Sequence, residues 1–435
     1  MAEEILLDYV LDQPVVATTQ SETQLKALLK INASPRIRAA AEVRTRSHLC
    51  LVLDVSSSMG DRDIRELRNA AKRVVEMLHP GDVLSLIAFQ SVVYEVLQGE
   101  VMGPAGSRDA VLRKIDIIEH YRGGGTDMEL ALRKAEHQLN VVNEAGLTRK
   151  VLLLTDGRVD GIEGHCLRQA EAMAERGISL DGLGFGKDFD YKFMQRLVSF
   201  GNGFTGKIDR PEELSKVFGE RVERLTNAVA NQVRMKLTFT HQVRAGRGYR
   251  YSPEMMYLGT IRLPGDERSI EIPVGSIERD REYSYLVTFT VPQREVGDAR
   301  AIKAELLYDV PALGVVNGQS QQSIVVRYSD DPDEATVFNG EVERAFDEVE
   351  IGRMVEELDR AMQQDDNKRV LLFLDVLARR YAELGDREMA DHYDTLKQRF
   401  VQDKKLSMED MNYNRHRSTQ KKDGGVKLVD ASDLF

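Results

Sequence analysis

The chain has 435 residues, 42% hydrophobic and 30% charged, with a formal net charge of −11. That length predicts two or three domains with ample material for cores. The acidic balance argues against nucleic acid as the main partner, which needs a broad basic face. The start, "MAEEILLDYVLDQ", carries acids where a secretory leader needs Lys or Arg. No stretch approaches the roughly 18 apolar residues of a membrane span. Cys50 and Cys166 lack metal-ligand spacing. Cys50, in an apolar strand, is expected as a buried free thiol, and two cysteines without metal spacing point to a reducing cytoplasm.

Within the N-terminal segment, residues 1–45, "QLKALLKINASP" alternates Leu25, Ala27, Leu29 and Ile31. This is read as a strand, although Leu25, Leu28 and Leu29 would also share a helical face. It is expected to pair with the β-rich stretch after Asn231, which makes the intervening α/β domain an insertion.

Residues 46–230 alternate strand and helix. "HLCLVLD" is a wholly apolar strand, as a parallel sheet covered on both faces requires. "IRELRNAAKRVVEML" puts Ile64, Leu67, Ala71, Val74, Val75 and Leu78 on one helical face. "DVLSLIAFQ" and "VVYEVLQG" are nearly contiguous and predict a hairpin with an antiparallel edge strand. The helix "SRDAVLRKIDIIE", the loop "YRGGGTD", the helix "MELALRKAEHQL" and the apolar strand "RKVLLLTDG" follow. Then come "HCLRQAEAMAERG" (helix), "ISLDGLGFG" (strand), "YKFMQRLVSF" (helix) and "GFTGKI" (strand). A last helix is expected from Pro211 to Ala230. The alternation predicts an α/β doubly wound parallel sheet.

From Asn231 the period becomes two: Val233, Met235, Leu237 and Phe239 share one face of "VRMKLTFTH". "YSYLVTFTV", "AIKAELLYDV" and "SIVVRYS" repeat the pattern, so residues 231–332 are read as an antiparallel β-sandwich. Residues 333–404 hold three amphipathic helices, a C-terminal helical bundle. Residues 405–435 are too polar to fold alone and are read as a flexible tail.

The strands "LVLD" and "LLLTD" both end in an acid, and open α/β sheets bind ligands at those ends. Asp54, Ser56, Ser58, Thr126 of "GGGTD" and Asp156 together offer two carboxylates and three hydroxyls, with no His or Cys. Such a donor set suits a hard cation, Mg²⁺ or Mn²⁺ with waters, better than Ca²⁺, which wants more ligands. Asp54 faces solvent in this reading, so its replacement should leave the fold intact.

These five positions, in this order, resemble the metal-ion-dependent adhesion site of von Willebrand factor A (VWA) domains, over about residues 46–230. The resemblance implies that Ser56, Ser58 and Thr126 ligate directly and that Asp54 and Asp156 act largely through water. It also implies that a partner's Asp or Glu completes the coordination. The rest of the chain resembles, more loosely, bacterial cytosolic VWA proteins. Some of those are linked with Ser/Thr kinases, PP2C-type phosphatases and forkhead-associated domains, others with MoxR-type AAA+ ATPases. A non-enzymatic adaptor is the implied role.

Several rivals are weaker. A polar turn with Ser58 or Asp61 as a helix cap explains single residues but not three converging loops. A phosphatase of the haloacid-dehalogenase type needs a general acid two residues after the first Asp, where this chain has Ser56. A self-assembling structural protein remains a third class. "GLGFGKD" has Lys187 where a dinucleotide loop needs its third glycine. Arg122, beside the glycines, is a candidate for pairing with a partner's carboxylate, or an ordinary loop arginine. In the tail, Ser418 and Thr419 lie among Arg415, Arg417, Lys421 and Lys422, a candidate phosphorylation site. "KLVDASDLF" is a candidate linear motif, including for self-association.

Overall fold

The computed structural model describes residues 3–40, 45–104, 106, 108–142, 144, 147–156, 162–185, 189–201, 203–208, 210–253, 255–263 and 267–419. Strands β1 (Ile5–Leu11), β2 (Val15–Ala17) and β3 (Glu22–Ala33) lead to a short helix, α1 (Pro35–Ala39). The α/β unit follows: β4 (Ser47–Asp54), α2 (Asp61–Met77), β5 (Val83–Phe89), β6 (Val93–Val101), α3 (Asp109–Asp116), α4 (Met128–Val141) and β7 (Thr148–Thr155). It continues with α5 (Glu163–Glu175), β8 (Ile178–Phe185), α6 (Tyr191–Ser199), β9 (Thr205–Ile208) and α7 (Leu214–Thr226). Seven strands come next: β10 (Ala228–Phe239), β11 (Arg244–Ser252), β12 (Met256–Thr260), β13 (Ser269–Glu278), β14 (Tyr283–Pro292), β15 (Gly297–Val310) and β16 (Val315–Ser329). Helices α8 (Gly340–Gln363), α9 (Asn367–Glu383), α10 (Arg387–Asp403) and α11 (Met408–Thr419) close the described chain.

The α/β sheet has the order β6-β5-β4-β7-β8-β9, parallel except for the β5–β6 hairpin at its edge. Every residue of β4 is buried. Leu49, Leu51 and Leu53 join the core beneath α2 and α7, while Cys50 and Val52 join the opposite core with α4, α5 and α6. A strand flanked by helices on both sides has no solvent face, which is why its sequence does not alternate.

The other two sheets, β1-β3-β14-β11-β12 and β13-β10-β15-β16-β2, enclose one apolar core. Residues 22–33 form a strand, and β3 lies between β1 and β14, with Leu29 opposite Tyr285. The α/β unit is thus inserted between β3 and β10. Its two ends meet where Thr45 N donates to Ala228 O at 3.3 Å. The sandwich is not purely antiparallel: β2 runs parallel to β16, pairing Val15–Ala17 with Arg327–Ser329.

Two boundaries differ from expectation. The helix expected to reach Ala230 opens as a 3-10 turn, Pro211–Glu213, becomes α-helical at Leu214 and ends at Thr226. "AVA" already belongs to β10, where Ala228 pairs with Glu278. Short apolar runs fit a buried strand as well as a helix, and sheet pairing decides. The tail also departs: residues 408–419 are helical. The "KLVDASDLF" segment lies outside the described residues.

Helix α8 covers the outer face of the first sheet, packing Val342, Ala345 and Val349 on Leu28, Tyr249 and Leu286. Lys26 Nζ reaches both Asp12 (3.0 Å) and Glu343 (2.6 Å), and Tyr251 Oη donates to Glu348 Oε2 at 2.8 Å. Helices α8, α9 and α10 share their own core, in which Tyr381 and Tyr393 stack at 5.5 Å.

Candidate metal centre

Asp54 ends β4 in the middle of the α/β sheet, and Thr155 ends the adjacent β7. Past Asp54 the chain must turn upward into α2. Val55 N still pairs with Phe89 O at 2.8 Å, and Met59 N closes a turn on Ser56 O at 3.1 Å. Ser56 forms an isolated parallel bridge with Gly123, which draws the "GGGT" loop against the end of β4.

That loop needs its glycines. A Cβ on Gly123 would sit 2.7 Å from the Gln90 side chain, and Gly125 has φ +82°. The loop backbone is tied to the tip of β5, with Ser91 N on Gly124 O at 3.2 Å and Asp127 N on Gln90 O at 2.8 Å. Thr126, half-buried, is carried by this loop. Asp127 caps α4, accepting from Leu130 N at 3.0 Å.

Ser56 Oγ and Ser58 Oγ are 2.9 Å apart. Ser58 Oγ donates to Asp156 Oδ1 at 3.0 Å, and Ser56 Oγ lies 3.4 Å from the same oxygen. Two loops separated by almost a hundred residues thus bring three oxygens onto one point. The Ser58 side chain does not cap α2, whose N-cap is Gly60 with Asp63 Oδ2 accepting from Gly60 N at 2.8 Å. The polar-turn explanation of Ser58 therefore fails.

Asp54 does not face solvent. It is fully buried, accepting from Ser56 N at 2.9 Å through Oδ1 and from Thr155 Oγ1 at 2.6 Å through Oδ2. Helix α2 and the glycine loop close over the strand tip, and the carboxylate is fixed by two donors. Burial pushes its pKa up to about 6, against the pull of the Thr155 and Ser56 hydrogen bonds, and the Asp156 charge adds to the rise. Burial raises Asp156 as well, with a smaller contribution from Asp63. Thr155 is the residue that sequence reasoning missed. The signal was its place beside Asp156 at the end of an apolar strand, a position where a hydroxyl is out of keeping with β7.

The residues fit a small hard cation. Ser56 Oγ, Ser58 Oγ and Asp156 Oδ1 lie 2.9–3.4 Å from one another, an all-oxygen cluster of the kind Mg²⁺ or Mn²⁺ takes together with water. Two carboxyls with raised pKa beside neutral hydroxyls are a site that a cation stabilises. Arg122 does not supply that charge, since its guanidinium is engaged by Asp61 and by the Met59 carbonyl. Among the described residues no group of three or more His, Cys, Asp or Glu is placed to hold a metal ion. The present set has only two carboxylates and relies on hydroxyls.

The tail site is different. Ser418 is 3% exposed and its Oγ donates to Arg415 O at 3.0 Å, so it is not offered to a kinase in this conformation. Thr419 is the last residue of α11. No helix of the described chain is long and apolar enough to cross a membrane.

Residues 48–220 match the family model of the von Willebrand factor type A domain. The chain is 24% identical over 301 residues to Uncharacterized protein sll0103 of Synechocystis sp., covering 68% of each. Its similarity to human inter-alpha-trypsin inhibitor heavy chain H2 is 27% over 187 residues, 40% of this chain but only 19% of that protein. The solved structure of a von Willebrand factor type A protein from Catenulispora acidiphila superposes with a TM-score of 0.77 at 18% identity, covering 96% of this chain and 97% of that one. The inserted unit and the sandwich around it thus share one known fold along nearly the whole length. VWA domains generally serve as protein-interaction modules and commonly bind a divalent metal, and it is residues 48–220 of this chain that match such a domain.

Proposed function

We propose that the chain is a non-enzymatic cytoplasmic adaptor that docks a protein partner through Mg²⁺ or Mn²⁺ held by Asp54, Ser56, Ser58, Thr126 and Asp156. The observation that carries this reading is the convergence of Ser56 Oγ, Ser58 Oγ and Asp156 Oδ1 at 2.9–3.4 Å. Ser56, Ser58 and Thr126 offer neutral oxygens, so they orient a cation without offsetting its charge. Asp54 and Asp156 supply the counter-charge from the strand ends. When bound, the cation supplies an electrophilic position for a carboxylate oxygen, and charge-assisted contacts of that kind outweigh neutral ones. A partner with an exposed Asp or Glu is selected by this chemistry. Ser/Thr kinases, PP2C-type phosphatases, forkhead-associated domains and MoxR-type ATPases are the settings that the family resemblance suggests, with a second copy of the chain as another source of the acid. A hydrolase is disfavoured because Ser56 stands where an acid is needed and its hydroxyl is committed to Ser58 and Asp156.

The test is affinity capture on immobilised wild-type and Asp54→Ala chains, in Mg²⁺ and in EDTA. A partner retained only by the wild type in Mg²⁺ supports the reading. A partner retained equally under all four conditions overturns it.

A further inference from the structure

The base of the VWA sheet, at the end opposite Asp54, meets the sandwich around a small cavity of about 50 Å³. Its floor is made by residues at the beginnings of three neighbouring strands. Ser47 of β4 pairs in register with Thr148 of β7, and Ser179 of β8 pairs with Lys150. Ser47, Thr148 and Ser179 all line the cavity, and their hydroxyl oxygens are buried with no hydrogen-bond partner among the described residues. Ser47 is 4% and Thr148 7% exposed. Buried polar groups are nearly always paired, so three adjacent exceptions on one wall call for a ligand.

The remaining walls are charged. Lys150, Arg221, Arg250 and Arg281 face the cavity together with two carboxylates, Asp181 and Glu278. Lys150 Nζ is 3.5 Å from Asp181, and Arg281 is 3.2 Å from Glu278. Arg250 comes from β11 of the sandwich and is 1% exposed, with one guanidinium nitrogen 3.4 Å from Gly203 O of the VWA domain. Arg221 lies over the Phe204 ring, and hydroxyl donors in a row beside Lys150 and Arg250 are complementary to an anion with several acceptor oxygens. A metal cation would be repelled, and an apolar group would leave the hydroxyls unmatched.

We propose that this interdomain cavity binds a small oxyanion of the phosphate type, contacted by Ser47, Thr148 and Ser179 from below and by Lys150 and Arg250 from the sides. Its volume exceeds the roughly 10–15 Å³ needed for one water. Access is provided by a larger cleft of about 620 Å³ between the two domains, which shares Thr148, Ser179, Gly201 and Ser276 with the cavity. The cleft lies in the size range of small-molecule sites, about 300–1,000 Å³. Asn231, 7% exposed, also lines it, and its Oδ1 has no hydrogen-bond partner among the described residues. The same oxyanion chemistry is therefore open to free phosphate and to a phosphate monoester whose organic part lies in the cleft. Because the contacts come from both domains, occupancy ties the VWA domain to the sandwich.

The experiment is calorimetric titration of the full chain at fixed ionic strength, with EDTA present so that the adhesion site plays no part. One arm uses inorganic phosphate and the other glycerol 3-phosphate, each against a chloride control. Saturable one-to-one binding in either arm is expected, weakened at least fivefold by Thr148→Val and by Ser179→Ala, with the thermal midpoint of each variant unchanged in the absence of ligand. Tighter binding of the monoester assigns the cleft to the same ligand; binding of phosphate alone assigns a free anion. Absence of saturable heat in both arms, or undiminished affinity in the Thr148→Val/Ser179→Ala double variant, overturns the proposal.

Discussion

Thr155 Oγ1 donates to Asp54 Oδ2 at 2.6 Å, joining the tips of two adjacent parallel strands. Both residues are buried, 1% and 0% exposed. The hydrogen bond fixes the carboxylate on one side while Ser56 N fixes it on the other. A site that works through an oriented, water-linked carboxylate depends on this strand-to-strand contact.

Thr155→Val keeps the shape of the side chain and removes the donor. A hydrogen bond to a charged group contributes about 1.5–3 kcal/mol. The variant is expected to bind Mg²⁺ roughly tenfold more weakly, a difference of about 1.4 kcal/mol, with little change in the far-ultraviolet spectrum. Unchanged affinity by titration calorimetry would show that Asp54 needs no orientation from β7.

The position of His48 predicts a pH dependence. It is fully buried at the start of β4, with Nε2 2.9 Å from Ser85 Oγ. Burial lowers its pKa from 6.5 to about 4, with a smaller lowering from Arg149. The unfolded chain then binds more protons than the native one between those values. The contribution to stability is complete above about pH 6.5, is lost as pH falls toward 4, and at about 1.4 kcal/mol per pH unit amounts to at most about 3.5 kcal/mol. Asp54, raised instead, titrates in the opposite sense and partly masks this slope. The readout is therefore the difference between wild type and His48→Gln in urea melts from pH 4 to 7.5. It should shrink steadily as pH falls, and a pH-independent difference would refute the assignment.

Arg415 of α11 bonds Asp359 of α8 at a place where both side chains are nearly inaccessible, 8% and 3% exposed. Burial pushes the Asp359 carboxyl up, and Arg415 opposes it. Removing one partner leaves an uncompensated buried charge, at a cost of about 3–5 kcal/mol, whereas replacing both with apolar residues is often neutral. Arg415→Ala should release α11, seen as faster hydrogen exchange over residues 408–419, and Asp359→Leu with Arg415→Met should restore protection. Equal exchange in the Arg415→Ala chain would mean that other contacts hold the helix.

That helix also marks the limit of reading the sequence. The parallel strands were legible because "HLCLVLD" and "KVLLLT" are apolar on both faces, and Leu25–Ile31 because its alternation matches a half-covered sheet. Helix α11 carries no apolar stripe. It is held through Asn414, Arg415 and Ser418, all buried, and burial of polar residues against specific partners leaves no periodic trace. Strand β11, "RAGRGYRYS", likewise lacks a clean apolar alternation: a Cβ on Gly246 would stand 2.3 Å from the Thr288 hydroxyl, and Arg250 is buried against the VWA domain. At the candidate metal site, residue types and order were visible. The burial of Asp54 and the support from Thr155 were not, because both depend on how the loops close over the strand tips.

The most direct test is calorimetric titration of Mg²⁺ and Mn²⁺ into the full-length wild-type, Asp54→Ala and Ser58→Ala chains. Each variant's folding is checked by its denaturant midpoint, because the buried Asp54 also anchors Ser56 N and Thr155. One saturable site per chain is expected, abolished by Asp54→Ala and weakened at least tenfold by Ser58→Ala while both variants remain folded. No saturable heat in the wild type, or the same affinity in a folded Asp54→Ala chain, would contradict a metal centre at Asp54, Ser56, Ser58, Thr126 and Asp156.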